Sequence, residues 1–431
     1  MLNLNAIAMP LGISALVIFC LSYVLVMTEE FTHLRKSKPV VLAAGIIWVL
    51  VALIAKQQGV SVQAEAAVRH YIMEFGELFL FLLVAMTYVN ALSERNVFKV
   101  LRSWLVKRGY SYRALFWITG ILAFFISPIA DNLTTALVLC AVVMAVGGTN
   151  KKFISIGCVN IVVAANAGGA FSPFGDITTL MVWQKGIIPF FDFFKIFTPS
   201  VVSYIIPAVI MSWFIPKGNP KLDTQEIKLK FGAVPFIILF LLTIVTAISF
   251  HQVLHMPPAL GMMTGLSYLM FFSYYITSRN KRLGLDPKDR FDFFRKVKNA
   301  EWDTLLFFYG ILLCVGGLAV LGYLSVISSS LYHHLGDYMG LDQVHKATPA
   351  NILVGIISAI IDNIPVMFAV LTMKPSMSEG QWLLVTFTAG VGGSLLSIGS
   401  AAGVALMGQA KGMYTFFGHL KWTWAIALGY A

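Results

Sequence analysis

Two Asp-Asn pairs stand inside otherwise apolar segments: Asp131-Asn132 in SPIADNLTT and Asp362-Asn363 in SAIIDNIPV. Each pair joins a carboxylate to an amide, with the hydroxyls of Ser127, Thr134 and Thr135 near the first and Ser358 near the second. Hard oxygen donors of this kind suit a cation such as Na+. A carboxylate also takes a proton, so one group serves either ion. An acid at the centre of a bilayer costs about 2.5–3.5 kcal/mol on insertion scales, which makes each aspartate a functional-site candidate. Helix capping is the competing reading, since Asp and Asn are good N-caps. The second copy weighs against capping alone, because Ser or Thr would cap both helices at a lower insertion cost.

A second stretch, NAGGAFSPFGDITT (166–179), has the composition of a broken helix. Gly168, Gly169, Pro173 and Gly175 interrupt it, and Asp176 and Thr178 lie at the expected restart. Its later counterpart, GGSLLSIGSAAG (392–403), carries Ser394, Ser397 and Ser400 and no acid. Asn160 and Asn166 are lesser candidates, for which a bond between helices is the plain reading. Close helix packing is the plain reading of the glycine runs. Glu74 and Glu77 are expected to open the third span, where an acid is cheap; Glu74 matches Glu301 in the second half.

The elements that must hold these residues are membrane helices. Of 431 residues, 58% are hydrophobic and 12% charged, against about 25% charged in a soluble domain. Apolar runs of about 20 residues recur from end to end. The chain reads as an all-α polytopic membrane protein with no soluble domain. The first run, Ala6 to Met27, has no Lys or Arg before it and reads as a retained helix, not a cleaved signal. The net charge of +11 lies in loops, which points to the positive-inside bias and not to a nucleic-acid partner. Cys20, Cys140, Cys158 and Cys314 read as buried filler, and the eight histidines as mostly interfacial.

The expected organisation is a first half (1–215), a linker (216–231) and a second half (232–431). The first half holds an extra N-terminal helix, a re-entrant hairpin at 112–147 and a broken helix at 152–185. The second holds a hairpin at 350–373 and a broken helix at 380–410, followed by a last span at 412–430. If both hairpins return to their own side, 24 of the 31 Lys and Arg fall on the cytoplasmic side, with both termini outside. The basic loops 93–114 and 278–300, the linker and Lys411 then all lie inside. Three blocks recur in the same order. SPIADNLTTALVL matches SAIIDNIPVMFAV at an offset of 231, EFGELFLF matches EWDTLLFF at 227, and AGGAFSPFGD loosely matches VGGSLLSIGS at 224. With opposite entry sides for the hairpins, this is an inverted-topology repeat, the plan of many secondary transporters. The helix is expected to break over Ser127–Asp131, at Pro128, and to restart near Asn132.

The order of D-N hairpin tip and Gly/Ser/Pro-rich broken helix, present in both halves, resembles the ion transporter superfamily. The stretches DNLTT and FSPFGD resemble NhaD-type Na+/H+ antiporters over essentially the whole chain. The resemblance implies export of Na+ and Li+ in exchange for protons across a bacterial inner membrane. It also implies a homodimer, no cofactor, and hairpin tips carried by a mobile domain. The dicarboxylate branch usually has Ser-Asn-Thr at the tips; here Asp replaces Ser, and Pro365 and Val366 replace the threonines of the second copy. Asp131, Asp176 and Asp362, with oxygens from both hairpins, are the expected cation and proton ligands. Three rivals stay open. One is a carrier of arsenite, a dicarboxylate or another anion, which three membrane acids disfavour. The second is an intramembrane aspartyl protease, whose G-x-G-D pattern is broken by Pro173 and Phe174. The third is an ion channel.

Overall fold

The structure, a computed structural model, describes residues 2–32, 34–219, 227–282, 291–342, 344–410 and 412–431. His33, the middle of the expected linker (220–226), Lys288, Arg290 and Lys411 lie outside the described residues. Among the described residues the regular structure is entirely helical. The main helices are α1 (Pro10–Met27), α2 (Ser37–Gln57), α3 (Ser61–Glu94), α4 (Val97–Lys107), α5 (Tyr112–Ala130) and α6 (Asn132–Gly147). They continue as α7 (Lys151–Gly169), α8 (Ile177–Gln184), α9 (Phe197–Ser212), α10 (Ala233–Gln252) and α11 (Pro258–Arg282). The last six are α12 (Trp302–Leu321), α13 (Thr348–Ser358), α14 (Asn363–Met373), α15 (Glu379–Gly392), α16 (Ala401–Gln409) and α17 (Thr423–Tyr430). Nine helices among the described residues are long and apolar enough to cross a membrane.

The chain divides into two compact units, each built from both sequence halves. One comprises Met1–Phe79 and Glu301–Ala389, the other Leu80–Ala300 and Gly390–Ala431. Each has a buried central helix, α12 in the first and α7 in the second, where 78% and 89% of the apolar window is enclosed. That enclosure explains why Asn160 and Asn166, on α7, need partners within the protein. Asn160 donates to the Phe116 carbonyl of α5 over 2.9 Å, a bond between helices.

Helices α5 and α6 form a hairpin whose outer ends lie together. The Tyr112 ring, at the start of α5, lies 4.6 Å from that of Phe153 at the start of α7. Gly147, at the end of α6, sits against Ile154, one residue further along α7. Both outer ends of the hairpin therefore meet the same end of α7. Its tip meets the other end, where Ser127 Oγ donates to the Ala165 carbonyl over 2.6 Å. Ser358, matched to Ser127 in sequence, makes the same bond in the other unit, donating to the Ala389 carbonyl of α15 over 2.6 Å.

The break in the first hairpin is narrower than Pro128 suggests. Helix α5 runs through the proline to Ala130, and Asp131 alone is non-helical. The Phe124 carbonyl, which Pro128 has no N–H to engage, faces the space left by the missing side chain of Gly168. Ser172 Oγ, from the broken-helix loop, holds the Pro128 carbonyl over 2.8 Å. Tertiary contacts thus carry the helix past a residue that would end it in isolation.

Other expectations are corrected. Helix α3 begins at Ser61, ahead of Glu74 and Glu77, and Glu74 pairs with His70 over 2.8 Å. The basic loop 93–114 contains the helix α4. The last span is divided, with a short helix at Phe416–Leu420 ahead of α17. Cys20 is exposed, and His419 is fully buried instead of interfacial.

Candidate cation site

The first centre forms where the hairpin tip meets the broken helix α7–α8. Asp131 has φ 60° and ψ 159°, a region that glycine favours and other residues enter at a cost of about 1–3 kcal/mol. Its carboxylate caps α6: Oδ1 accepts from the Thr134 N–H and Oδ2 from the Thr134 hydroxyl, both over 2.8 Å. This turn aims the next residue, Asn132, at the broken helix. The Asn132 backbone N–H donates to the Gly175 carbonyl over 3.1 Å. Its side-chain Nδ2 donates to Asn166 Oδ1 over 3.1 Å and to Asp176 Oδ2 over 3.3 Å. Both bonds use the amide nitrogen, so neither consumes the amide oxygen.

Asp176 is 4% exposed. Its Oδ1 accepts from the Thr178 backbone N–H over 3.1 Å and so caps α8. Thr179 Oγ1 donates to the Ser172 and Asp176 carbonyls over 2.8 and 2.7 Å and closes the loop on itself. Beside this carboxylate, Thr178 Oγ1 is buried with no hydrogen-bond partner among the described residues. An orphaned buried hydroxyl is costly unless a ligand or water completes it. Thr135 Oγ1 and Ser397 Oγ are orphaned in the same way. Gly390 of α15 flanks the pair: a Cβ there would lie 3.5 Å from Asp176 Oδ2 and 3.6 Å from Thr178 Oγ1. Any larger side chain would fill that space.

The broken helix of the second half copies the first in backbone. Gly169 and Gly393 each approach a carbonyl six residues on, with Cβ positions 2.7 Å from the Gly175 oxygen and 2.6 Å from the Gly399 oxygen. Ser394 Oγ donates to Val391 over 2.6 Å, and Ser400 caps α16 through Gly403 over 3.3 Å. Helix α16 packs on α6 and α7, so the serine-bearing copy shares a unit with Asp131 and Asp176.

The second tip lies in the other unit. Asp362 caps α14 through the Ile364 N–H over 3.4 Å, and its own N–H donates to the Tyr23 hydroxyl of α1 over 3.1 Å. Lys36 Nζ stands 4.0 Å from Asp362 Oδ2. Asn363 and Ser358 are buried on either side of this turn. Among the described residues no three His, Cys, Asp or Glu side chains gather at one point to hold a metal ion. A cation at either tip therefore relies on amide, hydroxyl and carbonyl oxygens as well as carboxylate.

A family model described as a citrate transporter (CitMHS) matches residues 6–392. The Na(+)/H(+) antiporter NhaD of Alkalimonas amylolytica is 56% identical, over 97% of this chain and 88% of the relative. Its namesake from Vibrio cholerae is 54% identical, over 97% and 90%. The chain belongs to the NhaD-type antiporter family. Sodium/proton antiporter 1 of Arabidopsis thaliana is 31% identical over 95% of this chain and 69% of its own length. As an NhaD-type protein the chain is a transporter, not an enzyme, and needs no cofactor.

Several residues around the NhaD-type site escape a reading of the sequence. Lys36 and Tyr23 reach Asp362 from segments more than 300 residues away, and no local pattern marks them. His419 donates through Nε2 to the Ser394 carbonyl over 2.9 Å, since a carbonyl only accepts. In the neutral ring Nδ1 then accepts from the Tyr414 hydroxyl over 2.7 Å. The one available signal was that His419 follows the broken helix closely in an apolar segment. Ser172 and Thr179 stand within the quoted NAGGAFSPFGDITT stretch, and their hydroxyls position Pro128 and Asp176.

Proposed function

We propose that the protein exchanges Na+, and Li+ with it, for H+ by competition of the two ions for the intramembrane aspartates. The observation that carries this reading is the buried Asp176 carboxylate, tied to Asn132 and lying beside the orphaned Thr178 hydroxyl. Such a group of oxygens offers a small hard cation a charge-balancing carboxylate and neutral ligands. Burial favours the protonated carboxyl, and a bound cation favours the carboxylate, so proton and Na+ oppose each other at one group. The names of the relatives point the same way, and the anion alternative is not favoured by a site lined with acids.

In the proposed cycle the site faces the cytoplasm, loses protons and takes Na+ on Asp131, Asn132, Asp176, Thr178 and hydroxyls such as Thr135 and Ser397. It then faces outward, where protons displace Na+. Asp362 and Asn363, with Ser358, are the proposed cation and proton ligands at the second tip. Ser127, Thr134, Asn166, Ser394 and Ser400 hold the tips and crossovers in shape. A bacterial inner membrane, with both termini outside as the charge bias suggests, and a homodimer belong to the same proposal.

The test uses energised everted vesicles from a host without its own antiporters, with the interior pH followed by a quenched dye. Addition of NaCl or LiCl is expected to collapse the gradient with the wild type and not with Asp131→Asn or Asp362→Asn. Arsenite or succinate is expected to do nothing. No response to Na+ at any pH from mildly acidic to strongly alkaline overturns the proposal.

A further inference from the structure

The two hairpin tips compensate their aspartates differently. Asp131 receives both donors of Thr134, the N–H and the hydroxyl. The residue matched to Thr134 in the second half is Pro365, which has neither. What reaches Asp362 from elsewhere is the Lys36 ammonium, 4.0 Å from Oδ2. The two side chains are 17% and 14% exposed, so solvent screens their attraction weakly. The Lys36 ammonium also rests over the Phe307 ring, 4.5 Å from its centroid, which braces the long side chain.

The separation is informative. A hydrogen-bonded ammonium–carboxylate pair closes to about 2.7–2.9 Å. At 4.0 Å the ammonium neutralises Asp362 without occupying its lone pairs. The carboxylate is left able to bind another cation, and the fixed positive charge opposes that cation. Lys36 is itself set in a charged cluster at the ends of α1, α2 and α12. Next to it on the helix, Ser37 Oγ donates to Asp303 Oδ1 over 2.5 Å. Burial pushes the Glu29 carboxyl, in the segment after α1, above its usual range; Lys36 and Arg35 pull it down, and Asp303 pushes it up.

We propose that Lys36 is a built-in counter-cation of Asp362, a positioning residue that fills at the second tip the place Thr134 fills at the first and sets the affinity of that tip for the transported cation. This rests on the reading that Asp362 belongs to the cation site. Removing the ammonium takes away a competing charge, so Na+ binds more tightly. An ion pair of purely structural value would behave otherwise: its loss would lower the amount of working protein and leave affinity alone.

The experiment measures the Na+ concentration dependence of exchange in everted vesicles at a pH alkaline enough that KM no longer changes with pH, so that the stronger proton binding that loss of Lys36 also brings does not offset the change, with membrane abundance followed by immunoblot. Wild type is compared with Lys36→Met, Lys36→Arg and Asp362→Asn. Lys36→Met is expected to lower the apparent KM for Na+ by at least about fivefold, the effect that one unit charge at this distance would have even in water. Lys36→Arg is expected to stay near wild type. A Lys36→Met protein with unchanged or higher KM overturns the inference, whatever its maximal rate. If Lys36→Met is missing from the membrane, Lys36→Gln takes its place in the same comparison. Asp362→Asn separates the two ideas. If it exchanges Na+ with wild-type KM, the reading of Asp362 as a ligand fails; if it is inactive while Lys36→Met leaves KM unmoved, only the counter-cation fails.

Discussion

Asp176 and Ser400, 224 residues apart, hold one backbone conformation: φ −140° and ψ 146° at the first, φ −142° and ψ 148° at the second. Each is the N-cap at the restart of a broken helix, and each side-chain oxygen accepts a backbone N–H of its own helix, from Thr178 and Gly403 respectively. A hydroxyl therefore suffices for the cap. The charge at position 176 is surplus to the fold, and its desolvation has to be repaid by something else.

Asp176→Ser separates cap from charge. The variant is expected to reach the membrane in wild-type amount and to lose Na+-driven exchange by at least about tenfold, the worth of one charge-assisted contact. Vesicle exchange normalised to immunoblot signal measures it. Retained exchange would make Asp176 a cap like Ser400 and nothing more.

The strain at Asp131 gives a second separation. Glycine enters φ 60°, ψ 159° freely, so Asp131→Gly recovers about 1–3 kcal/mol of strain. It gives up a cap worth about 1 kcal/mol and about as much again in chain entropy. The terms nearly cancel, and the melting temperature of the purified protein is expected to stay within about 4 °C of wild type. Asp131→Ala, which loses the cap and keeps the strain, is expected to melt lower. Neither should exchange Na+. Equal melting of the two variants would mean that the strain is not paid at this residue.

How much of this was visible in the chain depends on the range of the interaction. Apolar run lengths, the D-N tips and the Gly/Pro clusters are local, and they locate α5–α8 and α13–α16 within a few residues. The repeated blocks go further, since Ser127 and Ser358 make the same bond to the helix that follows their hairpin. Long-range contacts leave no such trace. Pro128 reads as a helix end because the sequence does not show Gly168 and Ser172 closing around it. Lys36 reads as one more basic loop residue, and His419 as one more interfacial histidine. Cys140 and Cys158, 3.7 Å apart between sulfurs, read as unrelated filler.

Gly390 offers a steric test of where the cation goes. It lies on α15, beyond the reach of any capping role for Asp176, yet its Cβ position is in contact with both Asp176 Oδ2 and Thr178 Oγ1. Gly390→Ala fits at these ordinary contact distances and is expected to keep at least about half of wild-type exchange, since a single methyl in van der Waals contact costs little. Gly390→Val places methyls against the oxygens and is expected to abolish Na+ exchange with the protein still in the membrane. Full activity in Gly390→Val would move the cation away from these two oxygens.

Competition at shared carboxylates makes a definite statement about pH. On the acid side of the titration each unit of pH decrease raises the ratio of protonated to deprotonated carboxyl tenfold, and Na+ must rise by the same factor to displace one proton. The apparent KM for Na+ is therefore expected to climb about tenfold per pH unit for one competing proton, and more steeply for two, while the maximal rate at saturating Na+ stays constant. Sodium titrations of wild-type vesicles at a series of pH values read both quantities. A maximal rate that falls with pH at constant KM would place the proton on a separate group, and the shared-site mechanism would be wrong even if Na+/H+ exchange itself is intact.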